Sequence, residues 1–260
     1  MVMIVDVELF NGNIPMAVNA VIMAYSQGDR QNRLLSATGA HGIVTAHQDS
    51  DFRKVLNSFS LNLADGMPAV WVGKLKGAGQ IKRCYGPDFF QEMLIGSRDM
   101  AIRHFFCGGK EGVAEELKQI CEKKFYNRNV VGTYSPPFRE MSNEELMALA
   151  NTINALNVDI IWVGLSTPKQ EKFAYRLSEY TKVHFLCTVG AAFDFHTGRL
   201  KQAPKWMQSL GVEWLFRLIV EPKRLWKRYF EIVPLFIIYV IRDLWQHFII
   251  NTFQSKKESK

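Results

Sequence analysis

The sequence predicts an α/β fold, a helix-flanked and mostly parallel sheet with a helical C-terminal appendage. Two observations carry that reading. From about Leu34 onward, short apolar runs alternate with segments whose apolar residues recur near i, i+3 and i+4. Such alternation implies parallel pairing through right-handed crossovers, with helices on the faces of one sheet. After Lys201 the alternation ends, and the chain turns into helical segments rich in Trp, Arg and Lys. The boundary falls at residues 201–204, giving a sheet domain at 1–204 and an appendage at 205–260. The sheet domain is expected to fold without the appendage.

In chain order, HGIVTA (residues 41–46), SLNLADG (60–66), RHFFCGG (103–109), NVVGTY (129–134), VDIIWVG (158–164) and VHFLCTVG (183–190) read as strands. Between them QDSDFRKVLNSF (48–59), GPDFFQEMLIGS (86–97), EGVAEELKQICEKKF (111–125), SNEELMALANTINAL (142–156) and PKQEKFAYRLSEY (168–180) carry helical spacing. Ser142 with Glu145 forms a capping box for the fourth of these. Ser166 or Thr167 can cap the fifth, which Pro168 begins, since proline suits the first helical position. The terminal SKKESK is expected to be disordered.

Composition narrows the class. A chain of 260 residues, 48% hydrophobic and 22% charged, can bury a full core. The net charge of +7 points to an anionic partner, and its location matters. Residues 205–260 hold 10 Lys and Arg against 5 Asp and Glu, so most of the excess lies in the appendage, together with Trp206, Trp214, Trp226 and Trp245. Cys84, Cys107, Cys121 and Cys187 show no paired spacing and are expected as buried free thiols, which fits a reducing cytoplasm. The N-terminus lacks the basic region of a secretory signal. The longest uncharged apolar run, residues 232–241, is interrupted by Pro234 and is far shorter than the roughly 20 residues that span a bilayer. No transmembrane helix is expected.

Several motifs could carry chemistry. In RHFFCGGKEGVAEEL (103–117), Gly108 and Gly109 would let backbone amides approach a phosphate or nucleoside at a helix start, or simply make a tight turn. Neither a GxGxxG nor a Walker loop is present. In LADGMPAVW (63–71), Asp65 is either a helix cap or a general base at the carboxyl edge of the sheet. Arg83, beside Tyr85, would suit a diphosphate through its planar fork, or lie in solvent. Asp49 and Asp51 invite a metal reading, but they open a helical pattern where acids cap and complement the dipole. In FDFHTG (193–198), Asp194 and His196 could touch a ligand or hold a turn. VGLSTPKQEKFAY (163–175) crowds polar side chains at a helix start past a strand end, the ligand edge of an open α/β sheet.

In the appendage, Glu213, Arg217, Glu221, Arg224 and Arg228 share one face if the segment stays helical across Pro222, with Trp214, Leu218 and Leu225 on another. A solvated, salt-bridged face is one reading. A basic amphipathic segment with interfacial tryptophans, binding anionic lipid, is the other. No nucleic-acid partner is expected, because the body lacks a basic stripe or reading motif.

Together LADGMPAVW, RCYGPDFF, FFCGGKEGVAEEL, VGLSTPKQEKF, VGAAFDFHTGRLKQAPKWM and GVEWLFRLIVEPKRLWKRY resemble, in order, the blocks of the WecG/TagA/CpsF family of bacterial glycosyltransferases, glycosyltransferase family 26. The likeness runs from about Ile43 to Tyr229. It implies a Rossmann-like sheet of the GT-E type with an appendage that reaches the membrane. It also implies inverting transfer of a sugar from a UDP-sugar to a polyprenyl-diphosphate-linked (undecaprenyl-type) sugar in cell-envelope or exopolysaccharide biosynthesis. No tightly bound cofactor or obligatory metal is implied; UDP-sugar is the donor substrate. The place implied is cytoplasmic, peripheral on the inner face of the cell membrane, and a homo-oligomer is compatible with the family. Carried onto this chain, the resemblance makes Asp65 the base and assigns Thr45, Arg83 and Gln170 to catalysis. It turns Lys169 and Gln170 toward substrate and leaves Glu171 supporting. His47 stands where relatives usually have Asn.

The mechanism so implied is direct displacement, with Arg83, Arg217, Arg224 and Arg228 meeting charge on the diphosphate. A non-catalytic nucleotide-binding or membrane scaffold with the same sheet is the alternative, and it would have no need of Asp65 and Gln170. A dehydrogenase is disfavoured by the absent dinucleotide fingerprint.

Overall fold

A computed structural model describes residues 1–258. The chain opens with a hairpin, β1 (Val2–Ile4) and β2 (Val7–Leu9), then α1 (Ile14–Ser26). There follow β3 (Arg33–Thr38), α2 (Ala40–Gln48), α3 (Ser50–Asn57), β4 (Leu61–Ala64), α4 (Met67–Leu75) and α5 (Gly86–Gly96). The second half runs β5 (His104–Gly108), α6 (Val113–Lys124), β6 (Val130–Tyr134), α7 (Asn143–Ala155), β7 (Ile160–Gly164), α8 (Lys169–Ser178), β8 (Phe185–Thr188) and α9 (Ala192–His196). Helices α10 (Lys205–Ser209), α11 (Glu213–Val220) and α12 (Pro222–Glu258) form the appendage. The last two residues of SKKESK lie outside the described residues, and α12 runs into that segment as far as Glu258.

Strands β3 to β8 form one parallel sheet in the order β4-β3-β8-β7-β5-β6, flanked by helices on both faces, the Rossmann-like α/β architecture expected. Side chains alternate across it: on β5, Phe106 joins the cluster with Phe90, Trp162 and Phe193, while Phe105 and Cys107 pack beneath Ile161, Val163 and Leu186. Because both faces are covered, the interior strands are mostly apolar, with His104 on β5 and Thr188 on β8 among the buried exceptions. All four cysteines are buried free thiols. The capping box of α7 forms as read, Ser142 Oγ accepting from Glu145 N and Glu145 Oε2 accepting from Ser142 N.

Local assignments differ from the sequence reading in several places. HGIVTA is not a strand but the body of α2, with Ile43, Val44 and Ala46 buried on one helical face. The edge-adjacent strand is instead RLLSAT, whose buried Ser36 and Thr38 break the apolar run that marks the other strands. Neither Ser166 nor Thr167 caps α8, which starts at Lys169 after a cis Thr167–Pro168 bond. The Thr167 hydroxyl donates instead to Glu171 Oε1 at 2.9 Å. Pro234 does not end the helix; α12 continues through it.

The largest departure concerns the appendage. Ile232, Phe236 and Val240 of α12 are buried with Ile4, Ile43, Val44 and Phe52 of the body in one apolar cluster. Asp243 accepts from Lys76 Nζ at 2.8 Å and from Val5 N at 2.9 Å. Without residues 205–260 the body side of that cluster would face water, so the appendage packs on the sheet domain instead of standing apart from it. Phe236→Ala should cost about 3–5 kcal/mol, the range for a deleted core phenyl, and lower the melting temperature in thermal unfolding. A variant melting with the wild type would place α12 outside the cooperative core. By length and composition alone, Pro222–Ile250 is also apolar enough to cross a membrane, which the short uncharged run had not suggested.

Candidate active site

The carboxyl ends of the strands open into a cavity of about 1080 Å³, roofed by the appendage. This is at the upper end for a ligand pocket and spacious enough for two substrates. It lies where strand order reverses in an open parallel sheet, the usual ligand edge.

Asp65 follows β4 and lies on the cavity floor. It does not cap the helix after it; α4 takes Gly66 as its cap without a side-chain bond. Instead Asp65 Oδ1 accepts from Gly86 N, the first residue of α5, at 2.7 Å. Oδ2 faces Gly39 and has no hydrogen bond among the described residues. Burial, only partly offset by the Gly86 amide and by Arg83, lifts this carboxyl to about 6. The result is a carboxylate held by one oxygen, with the other open and of usable basicity near neutral pH.

Arg83 lines the cavity but is engaged. Nε donates to Asp65 O at 3.1 Å, Nη1 to Gln208 Oε1 at 2.8 Å, and Nη2 pairs with Glu213. Its guanidinium also lies over Tyr85, 4.1 Å from the ring centroid. In this structure Arg83 therefore ties the body to α10 and α11.

Across the cavity stand three appendage arginines. The charged face does not continue evenly past α11: the backbone bends at Glu221 (φ −129°, ψ 54°) before α12 starts. The bend brings Glu221 Oε2 within 2.6 Å of Arg224 Nη2 and 3.8 Å of Arg217 Nη2. Arg217, Arg224 and Arg228 all line the cavity, Arg224 while staying largely exposed to solvent. Arg228 is partly buried, and its Nε is buried with no partner among the described residues. An unpaired buried donor of this kind is costly unless a ligand satisfies it. Trp214, read as interfacial, also lines the cavity and packs edge-on against Tyr229.

The other candidates separate. Lys169 is exposed at the rim, and Gln170 is buried beneath it with both ends committed. Gln170 Nε2 donates to Glu171 Oε1 at 2.8 Å, and its Oε1 accepts from Gly190 N at 3.0 Å, fixing the β8–α9 turn against α8. Glu171 is buried, its Oε2 has no partner among the described residues, and burial raises its carboxyl above the usual range. Gly109 reaches the cavity. Gly108 serves close packing: at φ 149° a Cβ there would lie 2.5 Å from Gly164 O. Asp194 lines the wall and burial raises it, with Arg224 the main counterweight. His196 Nε2 donates to Pro87 O at 3.0 Å, and the ring packs on Phe90 and Phe125 outside the lining.

Thr45 and His47 lie outside the cavity lining. Thr45 Oγ1 donates to His41 O within α2, and His47 pairs with Asp6 at 2.7 Å while stacking on Tyr239. Asp49 caps α3 through the amides of Asp51 and Phe52 and binds Lys172, and Asp51 pairs with Lys54. The residue missed is His41, which lines the cavity beside Arg228. Burial, then that arginine, holds its imidazole down at about 4, hence neutral at physiological pH. Reading RLLSAT as the strand would have exposed it, since GAHG then becomes a strand-end turn.

A model of the glycosyl transferase WecG/TagA/CpsF family matches residues 2–248, nearly the whole chain. The chain belongs to that family. As a WecG/TagA/CpsF glycosyltransferase it is a transferase, and the match reaches beyond Tyr229, where the quoted blocks end, to take in most of α12. The cavity edge with Asp65 and the arginine-bearing helices thus both lie inside the matched region of this glycosyltransferase.

Proposed function

We propose that this glycosyltransferase inverts the anomeric centre of a UDP-sugar while moving the sugar to a polyprenyl-diphosphate-linked acceptor sugar at the cytoplasmic face of the bacterial membrane. The observation that carries the proposal is the open Asp65 oxygen set on the same cavity as Arg217, Arg224 and Arg228. Asp65 Oδ2 takes the proton of the acceptor hydroxyl as that oxygen attacks the anomeric carbon. The bond from that carbon to the UDP oxygen breaks, and its electron pair leaves with the diphosphate. Fixed guanidinium groups meet the charge that develops there, and a low-dielectric cavity strengthens the effect. His41, held neutral, and the rim residue Lys169 both line the cavity and would hold sugar hydroxyls or phosphate oxygens.

Exposed apolar side chains on the appendage, among them Trp206, Ile219, Trp226, Phe230, Ile238 and Trp245, support a membrane-surface location. A panel of UDP-sugars offered with a polyprenyl-diphosphate sugar tests the reading by donor-dependent UDP release. Release should appear with one or a few donors, and its absence across the panel would sink the proposal. Turnover should also survive chelator, because arginines are assigned the charge neutralisation. Loss in chelator with rescue by Mn²⁺ or Mg²⁺ would replace that part of the mechanism.

A further inference from the structure

The cavity is not polar throughout. Along α12, its lining side chains recur at helical spacing from Arg224 and Arg228 through Ile232 and Phe236 to Val240 and Leu244. A second stripe, Val233, Ile237 and Ile241, lines it one position round the helix. The lining therefore changes from cationic to apolar along one axis, over about 24 Å from Arg228 to Leu244 at 1.5 Å per residue. Beside it α4 contributes Trp71 and Leu75, while Val72 packs with Ile232, Phe236 and Val240 in the buried cluster beneath. The two helices are pinned together by the Lys76–Asp243 ion pair, whose side chains are only 7% and 15% exposed. The exposed side chains Trp71 and Leu75 on one helix and Ile237 and Ile241 on the other flank this shared apolar floor, which makes a groove. The side chains that would rest on a bilayer, such as Phe230, Ile238 and Trp245, are exposed but do not line it.

We infer that the α4–α12 groove holds the proximal part of the acceptor's polyisoprenoid chain, with the diphosphate at the arginine end. The inference rests on the proposed reaction and adds to it a subsite for the tail. A ligand with an anionic head and a long apolar chain matches the lining in both charge and order. Leu75 and Ile241 remain 59% and 63% exposed on the groove, apolar surface that such a chain would cover. The tail is then read by the enzyme itself and not only by the surrounding lipid.

The test uses the full chain in detergent solution with one diphosphate-linked sugar carried on a long polyprenyl chain or on a short alkyl chain. Wild type should prefer the long chain by about tenfold or more in kcat/KM, a factor worth about 1.4 kcal/mol. Leu75→Glu and Ile241→Glu should abolish that preference by raising KM for the long acceptor, leaving the short acceptor within about twofold. Ile237→Ala, a milder change, should do so partially. Equal use of both acceptors by wild type, or equal loss on both in the variants, overturns the groove while leaving the transfer reaction standing. Absence of transfer to either acceptor would instead fail the reaction. A fluorescent polyprenyl diphosphate then tests the groove alone: binding should weaken in both variants, and unchanged binding overturns it. Variants that lose vesicle binding but keep full affinity for the detergent-solubilised chain would make the face a membrane contact, which also overturns it.

Discussion

Asp65→Asn is expected to lower transfer by about a hundredfold or more, the scale for losing a general base, while donor binding is retained. Asn keeps the shape and can still accept from Gly86 N through its carbonyl, so the floor of the cavity stays in place. It cannot take a proton from the acceptor hydroxyl. In the wild type, transfer should rise with pH through about 6, because only the ionised carboxylate accepts a proton and burial has lifted Asp65 to that value. The variant should lack that inflection. Stability follows the opposite sign. Folding raises this carboxyl from 3.8 to about 6, so the protonated form is the one that folding favours. That contribution is complete below the unfolded value and is lost as pH rises through the folded one. Neutral Asn should therefore melt no lower than wild type near neutral pH. Steady-state rates across pH, with melting curves alongside, check both halves. Near-normal turnover in Asp65→Asn would remove it from the role.

The second large effect is expected at Arg228. Its guanidinium is partly buried and burial lowers its affinity for the proton, yet its Nε lacks a partner among the described residues. Glu221 already accompanies Arg217 and Arg224, which leaves Arg228 as the less compensated charge facing the cavity. Arg228→Ala should cost about a hundredfold in kcat with a soluble short-chain acceptor, the scale for removing one donor from a developing oxyanion. Binding to anionic vesicles should stay near wild type, because the exposed tryptophans and other cations remain. Arg228→Lys should recover only part of the rate, since an ammonium lacks the planar fork that Arg offers a diphosphate. If vesicle binding falls and the rate on soluble acceptor does not, the appendage is only an anchor. Arg217→Ala and Arg224→Ala should be milder, and each also frees Glu221, so their effects need not add.

Where sequence and structure agree, the reason is local. β5, β7 and β8 are covered on both faces, so apart from His104 and Thr188 at their ends they are apolar runs that stand out in the chain. The capping box at Ser142 involves groups three residues apart and is readable for that reason. Asp65 was named from its place after a strand and the family blocks, the arginines of the appendage from their helical spacing, and all of them reach one cavity. β3 was missed because Ser36 and Thr38 interrupt its apolar run. Thr38 Oγ1 donates to Ser36 Oγ at 3.0 Å, and Ser36 Oγ lies 3.4 Å from Glu171 on a distant helix. No local pattern announces a buried polar pair whose partner is that far away.

By itself the sequence determined the class of sheet, the family blocks, the thiols without partners and the concentration of positive charge in the tail. Each rests on residue type or on spacing within one element. Only the tertiary structure decided which charges are free and which surfaces are covered. Arg83 is spent on Gln208 and Glu213, more than a hundred positions away in the chain. His41 enters the cavity, while Thr45 and His47, on the same helix, do not. Helix α12 completes the core under α2 instead of standing apart as a tail. Burial and ion pairing join groups brought together by the whole fold, and local periodicity holds no record of which distant group will arrive.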